Sequence, residues 1–370
     1  MPRVLPTRFT SHLLVAASVT MFAGTVVGQH YTQVNLISDQ TAQANHSDSN
    51  LVNGWGIARS ATSPWWVSDN GPGKATVYNG GTGAIVPLVV TIPGAPTGMV
   101  FNGTSGFVIP GSGPARFLFA SEDGTISGWN GGTQAQVVVT TAGAVYKGIA
   151  IAVVDGSPRL YATDFHGGHI DVFDANFQPV IHGQGNGNGN GNGNGNDDSF
   201  FSGKPRGLVP FNIQNIGDTL FVAFAKQDAA KRDEVDGPGL GLIGAFTPAG
   251  KLINWFDQVN DLNAPWGMAM APSEFGTFSH HLLVGQFGSG EILAFNPTSG
   301  QYAGKLLQPV AAGEQPITID GLWGIGFGSG APNSGPLTTL FFAAGPGGES
   351  HGLFGSLTAV TADLIQGNSN

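Results

Sequence analysis

The chain contains no cysteine, which excludes disulfides, thiolate metal sites and cysteine nucleophiles together. Charge is scarce as well. Asp, Glu, Lys and Arg make up 10% of the residues, where an ordinary soluble domain carries about 25%. With 41% apolar residues, the scarcity does not signal disorder, which needs low hydrophobicity and high net charge. The 14 basic and 24 acidic side chains leave a formal charge of −10 and form no basic run. A phosphate backbone or an anionic membrane surface is therefore excluded as a partner class, and no nucleic acid is expected. No long window places apolar residues at a helical period, because 59 Gly and 23 Pro interrupt the chain. The G-x-S-x-G elbow, H-E-x-x-H, the Walker loop and the dinucleotide fingerprint are all absent, which disfavours the chemistry those sites perform.

Residues 1–28 read as a secretory signal peptide. Arg3 and Arg8 give a positive start, Leu13 to Val27 an apolar stretch, and Val26-Val27-Gly28 small residues for cleavage near Gly28. The apolar stretch is shorter than the roughly 20 residues of a spanning helix. The expectation is an exported protein, extracellular or periplasmic, with no membrane span after cleavage.

Internal repetition dominates the remainder. A short Gly- or Trp-marked segment recurs six times: NGWGIA at Asn53, PTGMVF at Pro96, YKGIAI at Tyr146, PFNIQN at Pro210, PWGMAM at Pro265 and GLWGIG at Gly321. An apolar run follows each copy and ends in polar residues, as in WWVSDN from Trp65 or LYATDF from Leu160. A third run then ends in an aromatic in most copies (ATVYN, TISGWN, IDVFD), and a looser fourth run completes the unit. Four short strands per unit at such spacing are the pattern of propeller blades. The sequence thus predicts an all-β, six-bladed β-propeller (NHL-like) spanning residues 29–360. The sixth unit lacks a fourth strand, and Tyr31 to Ser38 (YTQVNLIS) is the segment expected to supply it, closing the ring and covering its edges. A GN-rich stretch at 185–198 reads as a flexible insertion within this domain, and residues 361–370 as a C-terminal tail.

With blade strands lettered A to D from the axis outwards, the B–C turns and D–A links share one face of the disc. The A–B and C–D turns on the other face, such as SATSP, NGTSG and NIGD, read as filler. The B–C turns hold Asp69, Asn70, Glu122, Asp164, His166, His169, Lys226, Gln227, Asp228, Gln286, Glu349 and His351. The D–A links add Asn53, Lys147, Asn212 and Asp320. Each has a plainer structural role beside the functional one. Asp and Asn at strand ends cap tight turns, the scarce cations Lys147, Lys226 and Arg232 pair with nearby acids, and Trp55, Trp266 and Trp323 pack the inner ring.

Longer segments resemble an uncharacterised family of exported bacterial proteins, some with a PEP-CTERM sorting tail. These are NLVNGWGIA at Asn50, VVTIPGAPTGMVFNGT at Val89, ASEDGTISGWN at Ala120, YATDFHGGHIDVFD at Tyr161, AKQDAAKRDEVDGPG at Ala225 and IDGLWGIGFG at Ile319. The resemblance implies an exported propeller without an assigned activity. This chain ends in ADLIQGNSN, with neither the apolar helix nor the Arg cluster of the tailed members.

Two functions are weighed. The first is a binding or interaction module whose polar B–C/D–A face holds a small molecule, glycan or extracellular protein through Asn53, Lys147, Asn212, Gln227, Asp228, Gln286 and Glu349. The alternative is a divalent-cation-assisted hydrolase or lyase of lactone or ester type at the central channel. Asp69, Asn70, Glu122, Asp164 and Asp320 would ligate Ca²⁺ or another divalent cation there, with Asn212 a further ligand. His166, His351 or Lys226 would then serve as the catalytic group.

Overall fold

The computed structural model describes Met1 and residues 29–180, 207–309 and 315–361. Residues 2–28 of the segment expected as a signal peptide, the GN-rich run and all but the first residue of the expected tail lie outside these. Six small antiparallel sheets surround one axis as a six-bladed propeller. Blade 1 consists of Gly54–Ala58, Trp65–Asp69, Lys74–Tyr78 and Ile85–Thr91. Blade 2 consists of Pro96–Phe101, Phe117–Ser121, Thr125–Trp129 and Gln136–Thr140, with a small hairpin, Val108–Ile109 and Gly113–Pro114, inside its A–B connection. Blade 3 has three strands among the described residues, Tyr146–Val154, Ser157–Asp164 and His169–Phe173. Blade 4 has Val209–Ile216, Thr219–Ala225, Gly241–Phe246 and Leu252–Trp255, and blade 5 has Pro265–Met270, Leu282–Gln286, Ile292–Phe295 and Tyr302–Lys305. No helix of the described residues is long and apolar enough to cross a membrane.

Blade 6 closes the ring as the sequence predicts. Leu322–Phe327, Leu340–Ala344 and Leu353–Ala359 come from the end of the chain, and Tyr31–Ser38 from its start adds the outer strand. The pairing is antiparallel, with Tyr31 opposite Ala359 and Val34 opposite Ser356, and a bulge follows Asn35. Strand alternation turns Tyr31 inward, where it is fully buried and its hydroxyl donates to the Phe275 carbonyl at 2.8 Å.

The B strands are apolar throughout because both of their faces are covered by neighbouring blades; FLFAS and LLVGQ are buried at every position. The cores lie between blades. Leu118, Ala120 and Ile126 of blade 2, for example, pack against Ile149, Leu160 and Phe173 of blade 3. The D strands face solvent on one side and alternate accordingly.

At the axis the blades meet backbone to backbone, at the recurring Gly of strand A. A Cβ on Gly56 would stand 2.6 Å from the Thr97 carbonyl oxygen, on Gly98 2.9 Å from Gly148 Cα, on Gly267 2.3 Å from the Trp323 oxygen and on Gly324 2.7 Å from the Trp55 oxygen. Real Cβ atoms do not approach so closely. Gly148 adjoins Asn212 in the same way, its virtual Cβ lying 2.7 Å from Asn212 Cα. Asn212, standing where the other blades have Gly, reaches across the next junction and donates to the Trp266 carbonyl at 2.7 Å.

This contact yields the first prediction. Gly267→Ala forces two inner strands apart and should destabilise the fold by about 3 kcal/mol. Gly103→Ala, whose Cβ would meet nothing nearer than a Phe101 ring carbon at 3.5 Å, should stay within about 0.5 kcal/mol. Chemical denaturation of the two variants side by side measures the difference.

Candidate functional site

The two ends of the axis differ in kind. At the B–C/D–A end the channel is plugged by aromatic rings. Trp55 and Trp323 stack at 3.6 Å between centroids, Trp266 meets both edge-on at about 6 Å, and Phe287 stacks on Trp323 at 4.0 Å. Phe165 and Phe211 complete the plug. The three indole N–H groups find no acceptor among the described residues, so ring packing alone holds these side chains.

Above the plug five blades contribute to one polar network. Lys147, fully buried in blade 3, lies over the Trp55 ring at 4.8 Å, contacts Glu122 of blade 2 and bonds Asp233 of blade 4 at 3.0 Å. Asn70 donates to the other Glu122 oxygen at 3.2 Å, and Asn53 donates to Asn70 at 3.3 Å and to Glu349 of blade 6 at 3.2 Å. Asn53 and Glu349 both adopt left-handed backbone, φ 51° and 65°, a conformation Asn tolerates more readily than Glu.

The electrostatics of this mouth turn on one cation. Burial works against the Lys147 ammonium, but Glu122, Glu234 and Asp233 outweigh it and its pKa is raised. Burial pushes the Glu234 carboxyl up to about 8, against the pull of Lys147 and with the help of Glu349. Glu349 is raised too, chiefly by burial. The mouth is a closed circuit in which one ammonium offsets several carboxyls.

Of the residues singled out in the sequence, Asn53, Asn70, Glu122, Lys147 and Glu349 come together here. The others serve local roles. The fully buried Asp69 carboxyl accepts from Thr76 at 3.3 Å, and burial lifts its pKa well above the carboxylate range. Asp320 accepts from the Gly347 amide, and Gln286 bonds the Asn263 amide and the Val284 carbonyl. Gln227 donates to the carbonyls of Phe165 and His166. Asp228 accepts from amides of its own loop. His351 pairs with Asp39 at 2.8 Å, while His166 and Lys226 stand exposed. Asp164 accepts two backbone amides and, with His169 and Asp171, forms a compact trio on blade 3 in which His169 bonds Asp171 at 3.0 Å. The expected oxygen shell of Asp69, Asn70, Glu122, Asp164 and Asp320 does not assemble, because Asp69 is held by Thr76, Asp164 by the amides of Val145 and Gly167, and Asp320 by the amide of Gly347. Glu234 was missed in the sequence, and its only signal was the dense acidic stretch around it.

A large hollow lies at the opposite end, behind the turns that read as filler. The downstream halves of all six A strands enclose a cavity of about 590 Å³. Its wall combines apolar side chains, Ile57, Met99, Ile149, Ile213, Met270 and Ile325 prominent among them, with the amides of Asn212, Gln214 and Asn215 on blade 4. Arg59 is the one charged residue lining it.

The fold and these two axial ends define a six-bladed β-propeller with a plugged polar mouth and an open bore. Against a protein of unknown function from Bacteroides thetaiotaomicron, 11% identical, the chain superposes over 90% of its length and 76% of the other's with a TM-score of 0.53, a likeness of fold alone. In sequence it is 32% identical over 337 residues to uncharacterized protein L690 of Acanthamoeba polyphaga mimivirus, covering 87% of this chain and 84% of that one. Uncharacterized protein R648 of the same virus is 31% identical over 338 residues, 87% and 78% of the two chains. The chain belongs to the family of these proteins. No family model matches it.

Two measurements test the polar mouth. Lys147→Met strands Glu122 and Asp233 without their cation and should cost about 3–5 kcal/mol, much of it recovered in the double variant with Glu122→Gln; denaturant midpoints read both. Glu234 holds a proton in the folded state that it has lost when unfolded, so from about pH 4.5 to about 8 it makes stability fall as pH rises. Glu234→Gln should flatten that slope and raise Tm at pH 8 by a few degrees, about 2–4 °C per kcal/mol.

Proposed function

We infer that the protein is a binding module without catalytic chemistry of its own, and that its ligand is a small molecule entering the axial cavity from the A–B face. The observation carrying this reading is the bore itself. Its volume of about 590 Å³ falls within the roughly 300–1,000 Å³ of small-molecule sites, which are concave, mostly apolar and largely pre-formed. The backbone contacts of six strands define its wall, so it is rigid before any ligand arrives. The polar face expected to bind instead spends Asn53, Asn70, Glu122, Lys147 and Glu349 on one another. A glycan or protein on that face would have to break charge-assisted bonds before making new ones. The hydrolase alternative draws no support from the mouth, where the carboxylates are paired with an ammonium instead of converging on a common point.

An exported location, outside the cytoplasm, belongs to the same proposal. It is supported by the leader-like residues 1–28.

The uncharged fluorophore N-phenyl-1-naphthylamine, which brightens in apolar surroundings, tests the bore. Wild-type protein should bind it with saturation. Met270→Trp, which fills the wall with an indole, should weaken it by about tenfold or more without lowering Tm appreciably. Absence of saturable binding, or equal binding by the filled variant, overturns the reading.

A further inference from the structure

We propose that the axial cavity takes an anionic amphiphile, with an apolar body in the bore and a carboxylate held by Arg59 at the rim. The proposal rests on the reading of the bore as the ligand site and adds the chemistry of the ligand.

Arg59 ends the inner strand of blade 1, directly after Ala58, and faces the cavity from its rim. In a chain of net charge −10 with 14 cations, one charged side chain among the described residues lines the bore, and that side chain is positive. No carboxylate among the described residues pairs with it. Its contacts are to neutral oxygens: Nε donates to the Phe327 carbonyl at 2.9 Å, Nη2 donates to the same oxygen at 2.5 Å, and Nη1 donates to the Ser60 carbonyl at 3.2 Å. The guanidinium also lies 5.2 Å from the centroid of the Trp65 ring.

A guanidinium carries five N–H donors in a planar fork. Three are spent on carbonyls, which leaves one on each terminal nitrogen and the whole positive charge uncompensated. The two carbonyls and the indole fix the fork in place, so little side-chain entropy remains to be lost when an anion binds. The group is half-buried, and burial lowers its pKa, the direction expected of a cation held against an apolar wall without a counter-ion. A carboxylate arriving there gains charge-assisted bonds and relieves that cost.

The rest of the wall selects the body. Ile57, Ile149, Ile151, Ile213, Ile325 and Phe327 offer no side-chain donor or acceptor, and the other polar side chains of the wall, Asn212, Gln214 and Asn215 on blade 4, are neutral amides, so a second charge would be buried unpaired. A cationic amphiphile is rejected by Arg59, and a dianion finds no second cation. A monocarboxylate with an aliphatic or aromatic body satisfies both halves of the site. Glu122, Asp233 and Glu349 stand beyond the Trp plug at the other mouth, where they cannot neutralise Arg59.

Displacement of N-phenyl-1-naphthylamine tests the proposal with two probes of equal length, decanoate and 1-decanol. In wild-type protein decanoate should displace the dye with about tenfold higher affinity than decanol. Arg59→Gln should abolish that preference by weakening decanoate and leaving decanol nearly unchanged. Arg59→Lys, which keeps the charge without the fork, should retain part of the preference and also serves if the glutamine variant folds poorly. Equal affinity for the two probes in wild-type protein, or equal loss of both in Arg59→Gln, overturns the anion proposal while the bore stands as a ligand site. Failure of the dye and of both probes to bind overturns the bore itself.

Discussion

The whole architecture depends on one close approach, the contact of neighbouring inner strands at the axis with no side chain between them. Gly56, Gly98, Gly148, Gly267 and Gly324 permit it, and their missing Cβ atoms would otherwise collide with backbone of the next blade. Asn212 interrupts the series and compensates by bonding the carbonyl of Trp266. This contact sets the narrow waist of the ring. On one side of the waist the strands begin with large aromatics, and on the other they continue as isoleucine and methionine. The waist therefore separates a plugged end from a hollow end, and the difference between the two faces follows from which side chains flank a glycine.

The faces are also electrostatic opposites. The plugged end gathers most of its charge from acids and balances them with a single buried ammonium, which the Trp55 ring supports from below. Desolvation makes such an arrangement costly unless its charges are paired, and the mutual bonding of Asn53, Asn70, Glu122, Lys147 and Glu349 pairs them. Among the described residues, the hollow end has one guanidinium and no acid at its lining. In a chain so poor in charge, an uncompensated cation on an apolar cavity is the least economical feature of the structure and for that reason the most informative.

Chemistry-bearing residue types were readable one by one, but their commitments were not. Asp69 and Glu122 occupy equivalent turns and look interchangeable, yet Asp69 is paired opposite Gly54 and buried against Thr76, whereas Glu122 lies one residue beyond the matching position, Ser121, and contacts Lys147. Glu234 lies in a long B–C connection with no repeat to predict its path. The bore was invisible for a different reason. Ile57, Ile149, Ile213 and Ile325 carry the same pattern as core residues, and periodicity cannot tell a side chain packed against a neighbour from one facing an axial void. Arg59 left one trace, a rare cation directly after an apolar strand.

By itself the sequence determined the number of blades, the order of strands and the closure of the ring by Tyr31–Ser38, because a repeated alternation of buried and exposed positions is a local property that pairing preserves. It also determined that Trp and Gly would line the axis, since Gly recurs at one point of five repeats and Trp precedes it in three of them. Only the tertiary structure decided which end of the axis is open, which acids share Lys147 and which cation stands alone. Those are matters of distance between blades, set by how closely six strands approach around a common centre, and no segment of the chain carries that distance within itself.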